Sequence, residues 1–230
     1  LHDLDGASGE AVLTFRWRTK RSTAWADKGH LVAWDEVLLR RDETLRVIPE
    51  RQSTGIADRD LASALLVRPT LNLWRAAVDN DGFKLMPDLL KRMGIGGPAL
   101  ARWIAQGVDS RPADELVAHR SEIFGDAGGW TYFVHEVDVP DQLADLPRIG
   151  VTFEVPRASR VRWYGRGPLE NMPDRQAGAL LDIWESEIDE LPYVLPQEYG
   201  LRTDCRWLEL EFESRKLRIE VLEPTALHMS

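Results

Sequence analysis

The sequence predicts an all-β protein, a large antiparallel β-sandwich, and three observations carry that reading. Many stretches alternate apolar and polar residues with a period of two, short turn signals separate them, and each has one apolar and one charged face. Leu208, Leu210 and Phe212 alternate with Glu209, Glu211 and Glu213; Leu217, Ile219 and Val221 alternate with Arg218 and Glu220. Glu213-Ser214-Arg215 joins these two stretches as a hairpin.

The earlier elements follow the same logic. Leu13, Phe15 and Trp17 share one side of a half-buried strand, with Thr14, Arg16 and Arg18 on the other, and His30–Leu39 supplies a second strand. These first strands read as the last hairpin of a small β-sandwich whose other strands lie outside the chain, since a lone hairpin is marginal. Residues 40–60 are polar and poorly patterned, with one short strand expected at Leu45–Ile48. The domain division is therefore 1–42 as the end of one sandwich, 43–60 as a linker, and 61–230 as the large sandwich. Val67–Trp74 is extended, and Asp79-Asn80-Asp81-Gly82 is a tight Asx turn. Lys84–Met93 and the Leu100, Trp103, Ile104 spacing predict two short helices, with Gly107 ending the second. From Trp130 the chain is β: Phe133, Val137 and Val139 share a face, and Ile149, Val151, Phe153 and Val155 alternate with Gly150, Thr152 and Glu154. Between Gln176 and Glu190 the local pattern reads as helix, because Ala177, Leu180, Leu181, Trp184 and Ile188 fit a helical period.

Composition excludes several functions. With 29 Lys plus Arg against 38 Asp plus Glu, the net charge is −9, so no basic face for nucleic acid or an anionic membrane is expected. The apolar stretch Leu61–Val67, closed by Asp60 and Arg68, is too short to span a bilayer, and Leu1–Asp5 lacks the basic and apolar regions of a signal peptide. Cys205 stands alone, which leaves no intrachain disulfide and no thiolate cluster for zinc. A cytoplasmic setting fits these features.

Few motifs carry chemistry. Asp79–Gly82 lacks the acid that an EF-hand needs at Ala77; Gly94-Ile95-Gly96-Gly97-Pro98-Ala99 follows no strand; the five His show no metal spacing; and no Gly-x-Ser-x-Gly elbow occurs. Nine Trp supply core and, alternatively, stacking surface for sugars. The densest constellation is Arg162–Arg175, where the strand Val161–Tyr164 enters a loop of two glycines and two prolines carrying Arg166, Glu170, Asn171, Asp174 and Arg175. Glycine's access to positive φ and proline's fixed φ let such a loop hold one shape. Glu170 and Asp174 read either as a general acid and base or as partners of Arg166 and Arg175 and caps of backbone N–H groups. The second reading is preferred.

Three motifs then carry a resemblance. Leu73-Trp74-Arg75-Ala76-Ala77-Val78-Asp79-Asn80-Asp81, Trp163-Tyr164-Gly165-Arg166-Gly167-Pro168-Leu169-Glu170-Asn171-Met172-Pro173-Asp174-Arg175 and Pro192-Tyr193-Val194-Leu195-Pro196-Gln197-Glu198-Tyr199-Gly200-Leu201-Arg202 resemble, in order, signatures of the C-terminal domain of family 2 β-galactosidases. Thr23–Ala26, Gly29-His30 and Ala33-Trp34 resemble the closing strands of the immunoglobulin-like domain before it. Ala77 stands where the family usually has Pro, and Met172 and Tyr199 where it has Tyr and Asn.

The resemblance implies a galactose-mutarotase-like supersandwich and makes Gln176–Glu185 a strand. It implies a retaining parent enzyme with two glutamates on a (β/α)₈ barrel of about 250 residues, which a chain of 230 residues already spent on sheets cannot hold. The family's active-site Trp comes from a loop beyond Ser230, so the chain reads as a truncated piece without catalytic residues. It would wall the active-site cleft and support assembly. Any Mg²⁺ or Na⁺ of the parent would bind elsewhere, leaving no metal and no cofactor here. The implied partners are the parent's remaining domains, a β-galactoside such as lactose, and a further copy in a homo-oligomer. Trp74, Arg75, Asp79, Asn80, Asp81, Trp163, Gly165, Gly167, Pro168, Glu170, Asn171, Pro173, Asp174, Arg175, Pro196, Gln197, Glu198 and Gly200 are expected to be architectural. Two alternatives remain open: a free-standing carbohydrate-binding sandwich with Trp163, Tyr164 or Trp184 as the sugar platform, and a pure assembly module.

Overall fold

The computed structural model describes residues 9–41, 64–82, 99–126, 128–143, 145–188 and 198–228. The expected strand at 45–48, the expected helix at 84–93, the Gly94–Ala99 motif apart from Ala99, and Pro196 and Gln197 lie outside them. The chain forms two compact units that are each discontinuous in sequence.

The first unit contains a hairpin of β1 (Ala11–Arg18) and β2 (Leu31–Arg40). It also contains an antiparallel sheet in the order β10 (Lys216–His228), β9 (Leu201–Glu211), β7 (Arg160–Gly167), β8 (Leu180–Glu187). The alternation of leucine and glutamate sorts the sheet as expected. Val161, Trp163, Leu208 and Leu210 are buried. On the opposite face Arg162 pairs with Glu185 and Glu209, while Lys216 pairs with Glu209 and Glu211. Such exposed pairs contribute little singly, about 0–1 kcal/mol each.

Two local readings are corrected. The helical period over Gln176–Glu190 is a single 3₁₀ turn at Gln176–Gly178 followed by β8. Tertiary pairing overrides the period: β8 pairs with β7 residue by residue from Leu180 to Glu187, which sets Trp184 opposite Trp163. The strand expected from the resemblance is thus present but starts at Leu180. The side of β1 carrying Leu13, Phe15 and Trp17, expected to be inward, is exposed, with Trp17 at 52%. The hairpin turns its other side to the sheet through Glu36 and Arg16, and none of the described elements closes over Leu13, Phe15 and Trp17.

The second unit pairs β3 (Val67–Asn72) with β6 (Gly150–Glu154), and β4 (Ala118–Gly125) with β5 (Thr131–Asp138), both antiparallel. Two short helices, α1 (Ala99–Ala105) and α2 (Ala113–Leu116), accompany them. The predicted helix around Leu100 and Trp103 is α1, and Gly107 at φ 77° follows its end. Leu73, Trp103, Val108, Val117 and Leu143 form the core of this unit, with Val137, Val139 and Trp74 packed against it. Burying side chains of this size contributes about 1.5–3 kcal/mol each. The predicted apolar side of β6 is not buried to the same degree, since Ile149 and Val151 are exposed.

Candidate functional site

The two glycines expected in the loop lie at the end of β7, which runs on to Gly167, and are required by crowding rather than by positive φ. A Cβ on Gly165 would stand 2.5 Å from Cys205 Sγ and 2.9 Å from Cys205 Cα, and one on Gly167 would stand 2.6 Å from Trp184 Cδ1. Neither glycine has positive φ. The backbone is then tied down from below. Asn171, 1% exposed, donates from Nδ2 to the carbonyls of Arg166 (3.2 Å) and Leu169 (3.1 Å). Its Oδ1 accepts from the Thr203 backbone N–H at 3.1 Å and from the Thr203 hydroxyl. All of this amide's capacity is spent on architecture.

The charged residues of the loop are equally committed. Glu170 accepts from Arg175 at 3.3 Å and from the Gly200 backbone N–H at 2.8 Å, as a structural carboxylate does. Arg166, expected to pair with Glu170 or Asp174, instead donates to Asp204 (2.6 Å), Glu36 (2.7 Å) and the Ala179 carbonyl (3.0 Å). Glu36 also accepts from the Leu181 backbone N–H at 2.8 Å. Asp174 is exposed and makes no ion pair among the described residues. Pro168 and Pro173 are exposed loop residues.

The three aromatic candidates are engaged as well. Trp163 is 1% exposed, donates to the Arg166 carbonyl at 3.2 Å and carries the Arg202 guanidinium 5.4 Å from its ring centre, so no ring face is open. Trp184 donates to the carbonyls of Gly165 (3.1 Å) and Leu180 (3.2 Å). The Tyr164 hydroxyl donates to Glu10 at 2.6 Å, and Glu10 also takes two hydrogen bonds from Arg206 at 2.7 and 2.8 Å. Burial and the neighbouring Glu10 carboxylate push the Tyr164 hydroxyl above its ordinary value.

In the second unit, Arg75 clamps Asp81 through two hydrogen bonds of 2.6 and 3.1 Å, and Asp81 accepts the Val78 N–H at 2.9 Å. This closes the predicted turn: Asp79–Asp81 is a 3₁₀ turn, ended by Gly82 at φ 97°. Asn80 is exposed on it, and Trp74 sits edge-on to Trp103. Glu198 accepts the Ala76 N–H at 3.1 Å and pairs with Arg148. His119 and His135, distant in sequence, meet across β4 and β5 with 3.0 Å between ring nitrogens. Among the described residues, no group of three His, Cys, Asp or Glu could hold a metal, and no helix is long and apolar enough to cross a membrane.

Sequence reasoning missed Glu10, Glu36, Asp204, Arg206 and Thr203. No local pattern marks them, because the side chains they bond to lie between 27 and 196 positions away. Asp204 carries one signal only the structure shows, a positive φ of 52° at a non-glycine residue.

Cys205 is fully buried, and burial pushes its thiol up to about 12 from 9.0. A thiol reagent at pH 8 is expected to leave it untouched in the folded protein and to label it after unfolding. The raised value also sets an alkaline weakness. The contribution is full below pH 9, where the unfolded thiol is still protonated, and is lost as pH rises towards 12. About 1 kcal/mol of stability should be gone by pH 10 in a denaturant titration.

The site thus defines a class: a β-sandwich region whose described signature residues are tied by hydrogen bonds and ion pairs into its loops and turns. The chain belongs to the β-galactosidase small-chain family, whose model matches residues 50–230, and the model for β-galactosidase domain 4 matches residues 2–40. It is 28% identical to a β-galactosidase of Priestia megaterium over 90% of this chain and 24% of that protein. It is 29% identical to a β-galactosidase of Arthrobacter sp. (strain B7) over 96% of this chain and 27% of that protein. A β-galactosidase of Vibrio cholerae is 36% identical over 60% of this chain and 16% of that protein. The chain spans about a quarter or less of the length of these relatives.

Proposed function

We propose that this chain is the C-terminal sandwich region of a cytoplasmic family 2 β-galactosidase that hydrolyses terminal β-D-galactosides such as lactose, and that it supplies none of the catalytic groups. Its role is to wall one side of the active-site cleft and to support assembly with the remaining domains and with further copies. Residues 1–42 complete an immunoglobulin-like domain, 43–60 link it, and 61–230 belong to the supersandwich. One observation carries the non-catalytic reading. Three carboxylates of the signature motifs, the buried Asp81 and Glu198 and the exposed Glu170, each accept a backbone N–H and pair with a guanidinium. Oxygens so engaged by the fold's own donors are committed to bracing.

The test is Glu170→Gln in the complete enzyme. Gln retains an acceptor for the Gly200 N–H, and the Arg175 pair is largely solvent-exposed. The expected result is kcat/KM for a β-galactoside within about threefold of wild type and a stability loss of about 1 kcal/mol. A thousandfold drop in kcat with unchanged stability would reassign Glu170 to the chemistry.

A further inference from the structure

The first unit holds a pocket of about 450 Å³ that the bracing of the loop does not use. Its volume lies within the range of ligand pockets, about 300–1,000 Å³. Leu180 and Leu181 belong to its apolar lining, and the indole of Trp34 forms a wall. Glu36, Arg166 and Asp204 form a second wall, held rigid by the hydrogen bonds that link them. Trp34 is more than one-third exposed and makes no hydrogen bond or ring contact among the described residues.

Three features say what such a pocket accepts. Its charges balance: Asp35, Glu36 and Asp204 stand against Arg41, Arg166 and Arg206. An anion would meet three carboxylates and a cation three guanidiniums, so neither gains. Next, hydrogen-bonding capacity remains after the internal bonds are counted. Gln176 uses its amide N–H₂ on Thr203 and leaves its carbonyl, and Asp204 gives Oδ2 to Arg166 and leaves Oδ1. Finally, an accessible indole beside acceptors and a guanidinium suits a molecule with an apolar face and a rim of hydroxyls. The left-handed backbone of Asp204 is a further mark, since strain of this kind collects where a side chain must be aimed.

We propose that this pocket binds a neutral mono- or disaccharide, with one sugar ring seated on the Trp34 indole and its hydroxyls bonded to Asp204, Gln176 and Arg166. This goes beyond the hydrolase reading and does not depend on it.

Hydrogen–deuterium exchange on the complete protein that carries this chain tests the idea, because it localises binding and separates this pocket from any hydrolytic site. Methyl β-D-galactopyranoside or methyl β-D-glucopyranoside at about 100 mM should slow exchange roughly twofold in peptides covering residues 31–41 and 176–182. Galacturonate and galactosamine at the same concentration should protect these peptides less. Trp34→Ala should abolish the protection. Ala177→Trp should do the same by filling the pocket from an exposed turn position, which guards against a folding defect in the first variant. The proposal fails if neutral glycosides leave both peptides unchanged, or if a charged sugar or benzyl alcohol protects equally well. It fails too if protection survives in both variants. None of these outcomes bears on whether the complete protein hydrolyses galactosides, which the kinetic assay on Glu170→Gln reads separately.

Discussion

Replacing Arg206 by methionine is expected to lower the stability of the fold by about 3–5 kcal/mol, because it strands a buried carboxylate. Arg206 and Glu10 have side chains only 5% and 7% exposed, and their bidentate contact is completed by the Tyr164 hydroxyl. The Arg206 guanidinium also lies 5.3 Å from the centre of the Tyr164 ring. Without it, the Glu10 charge keeps its burial and loses its counter-charge, so the carboxyl either protonates or drags the start of β1 into water. Replacing both residues, Arg206→Met with Glu10→Gln, should cost clearly less than Arg206→Met alone, since the orphaned charge is gone. Thermal melts of the two single variants and the double variant give the coupling directly. For a chain of this size the first variant should melt about 6–20 °C lower. Equal melting points for Arg206→Met and wild type would mean that Glu10 is solvated and that the pair holds nothing.

Gly165→Ala should cost about 3 kcal/mol, at the upper end of what overpacking does. The added methyl would overlap Cys205 Sγ at 2.5 Å and its Cα at 2.9 Å, so one of them must shift. The sulfur can be removed and the backbone cannot. Cys205→Ala in the Gly165→Ala background should therefore recover part of the loss, whereas Cys205→Ala alone leaves a small void in the buried sheet. Full recovery would show that the sulfur is the whole obstacle; no recovery would show that the strands themselves cannot separate. Denaturant unfolding of the three variants distinguishes these cases, because the midpoint shifts while the slope stays constant if only the folded state is affected.

Much of this fold was legible because it is written with period two. The Leu208/Glu209/Leu210/Glu211 alternation announces a sheet with one buried and one ionic face, and β9 has both. The hairpin at Glu213–Arg215 was equally readable, with the Phe212 N–H donating to the Arg215 carbonyl. Gln176–Glu190 was not readable from local pattern, since spacing of the type Leu180, Leu181, Trp184 suits a helix. Only the eight-residue pairing with β7 makes it a strand, and pairing partners are a non-local quantity. The resemblance supplied that strand where the period could not.

The loop was half legible. Its density of Gly, Pro and charge marks it out, and residue types alone favour bracing over acid–base chemistry. The partners were not. Arg166 has an acid four residues on in Glu170, yet it reaches Glu36 and Asp204, 130 and 38 positions away. A loop reading explains the glycines by backbone freedom, whereas Gly165 and Gly167 lie in β7 and admit a sulfur and an indole. Nothing in a single sequence distinguishes a glycine kept for its φ from one kept for the space beside it.

The span from Glu10 to Arg206 also sets a clock. These two residues are 196 positions apart, so the N-terminal hairpin leaves a ribosome long before the strand that neutralises it exists. At about 5–20 residues per second the interval is about 10–40 s. During that time the Glu10 carboxylate has no guanidinium. Birth order therefore separates the charge from the partner that neutralises it by nearly the whole of this chain.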